Sequence, residues 1–150
     1  MNVILTEENF DISNIYYNEP IQNTVMNNSK FIKIIYSNEY IILNGLYLLL
    51  TFKNISKETY FKKIKVKFDI NNNKELLKFI YKAEEKILNK YSTTKRQKKI
   101  IFDTMNVGSI KLFPDGNDDL NNNKNTFILK ISGIWEDQYE YGLTYKIIAL

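Results

Sequence analysis

The stretch that most constrains this chain is its last twenty-four residues, 127–150, which read FILKISGIWEDQYEYGLTYKIIAL. Two runs rich in β-branched and aromatic residues flank the acidic segment Glu136-Asp137-Gln138, the pattern of a β-hairpin. Alternation places Phe127, Leu129, Ile131 and Trp135 on one face of the first run. Gly133 interrupts that run, where a missing side chain marks a bulge or a close backbone approach. The second run puts Tyr139, Tyr141, Leu143, Tyr145 and Ile147 on one face, with Gly142 opposite. Such a hairpin is suited to closing a small barrel.

Composition narrows what the barrel can do. With 150 residues the chain has room for one domain, 1–150, with a real core. It contains no Cys and no His, which removes disulfides, thiolate metal sites, imidazole bases and most zinc sites. An enzyme is not expected, and no cofactor or metal is implied. Met1-Asn2-Val3-Ile4-Leu5 passes at once into Glu7-Glu8, unlike a signal peptide. The apolar run 40–52 is too short to span a bilayer. A soluble, cytoplasmic protein with no membrane partner is the expectation. Abundant Asn, Ile and Lys beside a single Arg fit a gene of high A+T content.

The charge is unevenly spread. The net charge is +4, yet residues 53–99 carry 15 basic and 5 acidic side chains, while the segments before and after are each net acidic. Asymmetry of this size points to an anionic partner.

Taken in order, residues 1–29 are polar and irregular, with short strand candidates at 3–5 and 12–17 and a loop at 24–29. Residues 30–37 read as a strand with Ile32, Ile34 and Tyr36 on one face and Phe31, Lys33 and Ile35 on the other. After a turn at 37–39, residues 40–53 return as a long strand bent at Asn44-Gly45. A strand that bends midway and serves both sides of a barrel is what an OB-type fold requires. Residues 54–57 read as a loop. The segment 60–70 alternates, with Ile64, Val66, Phe68 and Ile70 inward and Phe61, Lys63, Lys65 and Lys67 outward. A helix is expected over about 73–91, opened by an Asn72–Glu75 capping box. Leu76, Ile80, Ala83 and Ile87 form its buried stripe, flanked by Leu77, Leu88 and Tyr91. Lys74, Lys78, Lys82, Glu85 and Lys86 cover its outer face. Residues 92–99 form a basic loop, 100–103 and 107–113 read as strands, 114–117 as a turn and 118–125 as a polar loop. The fold class is thus all-β, an OB-like antiparallel barrel with one helix between its third and fourth strands.

Ser132-Gly133-Ile134-Trp135 followed by Tyr141-Gly142-Leu143-Thr144-Tyr145-Lys146-Ile147 resembles the C-terminal motif of the single-stranded DNA-binding proteins of nucleocytoplasmic large DNA viruses. Similar proteins are expected on cytoplasmic linear plasmids of yeasts. The resemblance implies an OB-type barrel, like that of the single-stranded DNA-binding proteins of short-tailed phages. It also implies non-specific binding of single-stranded DNA during replication or repair of an A+T-rich viral or extrachromosomal genome. Work in the host cytoplasm or a viral replication compartment would follow, as would contact with replication proteins of the same replicon and self-association. The phage proteins end in an acidic tail that recruits partners. No acid follows Glu140 here, so recruitment by such a tail is not expected.

The residues themselves supply the chemistry. Phe61, Lys63, Lys65 and Lys67 stand about 6–7 Å apart on one face, beside Phe31 and Lys33 on another strand. Lysines neutralise phosphates, and an exposed aromatic offers a face for a base. The plain alternative is that these lysines merely solvate the outside of a sheet. The loop Lys95, Arg96, Lys98 and Lys99 could grip a nucleic-acid backbone, or simply keep the chain in solution. Trp135 either stacks on a base at the groove rim or packs in the core beside Phe127 and Leu129, and its parity favours the core. Tyr145 poses the same question, and Lys146, of opposite parity, faces outward. Asp115-Gly116-Asn117-Asp118-Asp119 lacks the closing Glu of a calcium loop, and a turn explains it. The alternative functions are an RNA-binding OB module or an accessory protein that docks on another protein, with a carboxylate-dependent nuclease more remote.

Overall fold

A computed structural model describes residues 4–24, 28–112 and 124–149 of the chain. Val3, residues 25–27 of the expected 24–29 loop, Phe113, the turn at 114–117, most of the 118–125 loop and the Asp115–Asp119 run lie outside the described residues. In chain order the elements are β1 (Ile15–Tyr17), β2 (Ile21–Gln22), β3 (Lys30–Ser37), β4 (Ile42–Asn44), β5 (Leu46–Thr51), β6 (Ile55–Tyr60), β7 (Lys63–Phe68), α1 (Lys74–Lys90), β8 (Arg96–Gln97), α2 (Ile100–Met105), β9 (Ser109–Leu112), β10 (Thr126–Glu136) and β11 (Glu140–Ala149). Short 3₁₀ turns precede β1 and α1.

The terminal hairpin is the hub of a mostly β architecture. β11 runs along one edge of β10, while the other edge is shared in sequence by β5 and β3. The result is a curled, half-barrel sheet with the main path β1-β3-β10-β11-β8, plus a separate three-stranded sheet β6-β7-β9. The sheet is mixed rather than antiparallel throughout, because β8 pairs parallel to the start of β11. The bend expected at Asn44-Gly45 is present: Gly45 has φ +99 and a Cβ there would stand 3.0 Å from the Ile131 carbonyl oxygen. Across that kink the chain leaves β3 as its partner and takes up β10.

Residue 133 also marks a register shift in the β10–β11 ladder. One extra residue on β10 flips side-chain parity beyond it. Phe127, Leu129 and Ile131 are buried in the core as expected, but past the bulge Ile134, not Trp135, continues that face.

Helix α1 buries Leu77, Phe79, Ile80, Ala83, Ile87 and Leu88, and Leu76 is only half-buried. The capping box does not form. Instead Asn73 turns inward, accepting from the Lys53 N–H and donating to the Lys53 and Asp69 carbonyls, while Asn72 donates to Asp69. A buried amide satisfied three times outweighs one exposed cap. At the far end of α1 the Tyr17 and Tyr141 hydroxyls donate to the Ile87 and Leu88 carbonyls, the latter also accepting from the Tyr91 N–H. Lys90 Nζ donates to the carbonyls of Ile12 and Ile15, pinning the N-terminal segment to the helix.

Three further expectations fail locally. Residues 54–57 are not a loop but enter strand β6. Segment 60–70 is not one strand, because Phe61 (φ 44) and Lys62 (φ 62) turn a two-residue hairpin between β6 and β7. The residues at 100–103 are helical: buried Glu84 of α1 accepts from the Ile101 and Phe102 N–H groups, both at 2.9 Å, and so caps α2 from outside. No helix among the described residues is long and apolar enough to cross a membrane.

Burial pushes the Glu84 carboxyl above its ordinary value of 4.5, opposed by those two N–H groups. The folded protein therefore holds this proton more tightly than the unfolded chain, and the group's contribution to stability falls as pH rises from 4.5 through the folded value. In Glu84→Gln, which cannot ionise, that component should vanish. Urea unfolding between pH 4.5 and neutrality is expected to show wild type losing stability relative to the variant. A difference independent of pH would show that the carboxyl titrates in the folded protein as it does in the unfolded chain.

Candidate nucleic-acid interface

Strand β7 alternates as its sequence requires, with Ile64, Val66 and Phe68 buried and Lys63, Lys65 and Lys67 on the other face. Its neighbour β9 sets Lys111 directly opposite Lys65. Where this small sheet meets the far part of β11 a groove of about 520 Å³ opens, lined by Lys63, Lys65, Lys111, Tyr145 and Lys146. Its described lining contains four lysines and no carboxylate. A second groove of about 460 Å³ shares Lys65, Val107 and Ser109 with the first and extends the surface to Lys67. Lys67 also pairs with Glu58 at 3.2 Å. Both partners of that pair are about half exposed, so it constrains the lysine weakly.

Phe61 stands at the tip of the β6–β7 turn, off the lysine row but next to it in sequence, and is 81% exposed. Positive φ at two successive non-glycine residues is uncommon, since such hairpin tips favour Asn-Gly. An aromatic held out from such a turn is positioned to contact something other than its own core.

Phe31, Lys33 and Trp135 gather on the face of β10 opposite the core. The Phe31 ring lies so close over Gly133 that a Cβ there would stand 2.7 Å from its Cζ. Trp135 lies over Gly142 in the same way, a Cβ meeting its Cζ2 at 2.8 Å. Trp135 is thus buried, yet outside the core of Phe127 and Leu129. Lys33 is exposed, opposite Gly133. Gly142, Thr144 and Lys146 share one face of β11, so this aromatic cluster and the groove lie about 13 Å apart along a single strand.

The basic loop is tied to the body. Its N–H groups at Arg96 and Lys98 donate to the Tyr139 and Tyr141 carbonyls. Lys95 Nζ donates to the Asp137 carbonyl at 2.7 Å. Arg96 and Lys98 both face Glu140, at 3.1 and 3.9 Å. Lys99 pairs with Glu85 at 3.2 Å and lies 4.7 Å from the Tyr81 ring centre. These four cations serve intramolecular contacts on the β8 edge, and the loop does not enter the groove lining. Nearby, burial and the Glu136 carboxylate push the Tyr91 hydroxyl up to about 12.

Of the residues expected from sequence, Lys63, Lys65, Tyr145 and Lys146 therefore meet in one groove, Lys67 adjoins it, and Phe31, Lys33 and Trp135 share the connected outer face. Lys111 does not stand out in the sequence: one lysine on a short strand carries no pattern, and only the pairing of β7 with β9 brings it in. No protein-family model matches the chain, and neither a curated protein nor a solved structure is significantly similar to it.

Trp135 is the only tryptophan, so its emission reports on this face directly. Gly142→Ala should displace the indole, shift its emission to longer wavelength and cost about 1–3 kcal/mol of stability, as overpacking does. Unchanged emission and stability would mean that the ring does not lie over Gly142.

Proposed function

We propose that the protein binds single-stranded DNA without sequence preference, and that its two sheets together form an OB-type barrel with the lysine groove as the binding cleft. The observation that carries this reading is the groove itself: four lysines from β7, β9 and β11 converge beside Tyr145, with no carboxylate among the described lining residues. Lysines on several strands offer a line of point charges that suits phosphates, whatever the bases. Tyr145 and the exposed Phe61 supply flat faces for stacking, which is tolerant of sequence. The action would be stoichiometric, keeping exposed strands unpaired during replication or repair of an A+T-rich viral or extrachromosomal genome.

With about 4–6 phosphate contacts, log affinity for a dT oligomer should fall linearly with log salt with a slope of roughly −3 to −4. Binding should be weaker to an rU oligomer and to duplex DNA. A slope near zero would remove the electrostatic basis of the proposal, and preference for rU would make the ligand RNA.

Phe61 gives a second, separable test. Phe61→Ala should weaken binding by about 1–3 kcal/mol while leaving the salt slope and the melting temperature near wild type. Loss of thermal stability with affinity intact would show that the tip is a structural turn only.

A further inference from the structure

We propose that the bound strand leaves the groove across the outer face of the β10–β11 hairpin, and that Lys130 holds a phosphate along this path. The proposal rests on the single-strand reading above and adds to it one binding residue, Lys130, and a route out of the groove.

The pairing of the strands carries it. Lys65 stands directly opposite Lys111 across β7 and β9, and Lys130 directly opposite Lys146 across β10 and β11. Side chains so placed have Cβ atoms about 4.5–5.5 Å apart, and like charges there oppose folding, although Lys65 also faces Glu58 across β6 and β7. Among the described residues no ion pair engages Lys130 or Lys146. A phosphate seated between the Lys130 and Lys146 ammonium groups turns their repulsion into a bridged, charge-assisted contact. Lys146 joins the two pairs, because it lines the groove with Lys65 and Lys111 and also faces Lys130.

Beyond Lys130 the route meets an aromatic. Tyr47 of β5 is paired with Lys130, whose Nζ lies 5.6 Å from its ring centre. The half-buried Tyr47 ring then provides a stacking face next to a phosphate contact, the combination that sequence-tolerant single-strand binding uses. The ligand class is a flexible polyanion with aromatic bases, able to bend from the groove onto the sheet.

The test compares Lys111→Gln and Lys130→Gln with Lys65→Gln and Lys146→Gln, and with Lys82→Gln on the exposed face of α1, using dT oligomers titrated over a range of salt. Each of the first four should lower the salt slope by about 0.7, the share of one phosphate on a single strand. Lys82→Gln, with the same change in net charge, should leave it at the wild-type value. Without DNA, Lys130→Gln should melt no lower than wild type, and higher at low ionic strength, since it removes the repulsion with Lys146. If Lys65→Gln, Lys111→Gln and Lys146→Gln lower the slope while Lys130→Gln leaves it unchanged, as Lys82→Gln does, the route is wrong and the groove reading stands. If wild type binds no dT oligomer at low salt, both fall together.

Discussion

Much of the molecule depends on one backbone crossing. At Gly45 the chain swings from β4 into β5 against the carbonyl of Ile131, at the point where β10 inserts its extra residue and shifts register with β11. A Cβ at either Gly45 or Gly133 would meet backbone oxygen, from Ile131 or Ile32. The kink lets β3 and β5 follow one another along the same edge of β10 and curls the sheet on itself. The bulge reverses parity, sending Ile134 inward and Trp135 outward. The core and the composition of the outer face are thus set together.

That arrangement also explains how a chain of modest net charge can gather cations. The core runs from Leu5 to Leu143 and fills both sheets and the inner face of α1. Apolar burial on this scale dominates folding, so clustered lysines at the surface cost little by comparison. The lysines fall into two groups of different character. Those of the 95–99 loop are committed to Glu140, Glu85 and the Asp137 carbonyl. Those of β7, β9 and β11 converge on a common groove whose described lining contains no carboxylate, although Glu58 pairs with Lys67 and stands across from Lys65 at its side.

What the sequence conveyed depended on whether the determining interactions were local. Strand β3, the kink at Gly45, the bulge near Gly133 and most of the α1 stripe follow from alternation, glycine placement and helical period, all readable within a few residues. Helix α2 is not legible in the sequence because Ile100-Ile101-Phe102 is a short apolar run that periodicity cannot assign. Its helical form is settled by Glu84, which lies seventeen residues earlier in the chain than Ile101. Strand β6 is equally hidden, because Ser56-Lys57-Glu58-Thr59 has no apolar alternation and owes its state to pairing with β7. The lysine row at 63–67 was legible from its own period. Lys111 and Lys130 were not, since their significance lies in which residue stands across the ladder.

The most direct measurement of where a strand lies is photo-crosslinking of a dT oligomer carrying 5-iodouracil at successive positions, with the adducts mapped to individual residues. Adducts at Tyr145 and Phe61, and at Tyr47 for positions further along the oligomer, are the expected result. Adducts confined to the outer face of α1, or to the exposed Tyr40 and Ile42 at the β3–β4 turn, would contradict the assignment of the groove as the binding surface.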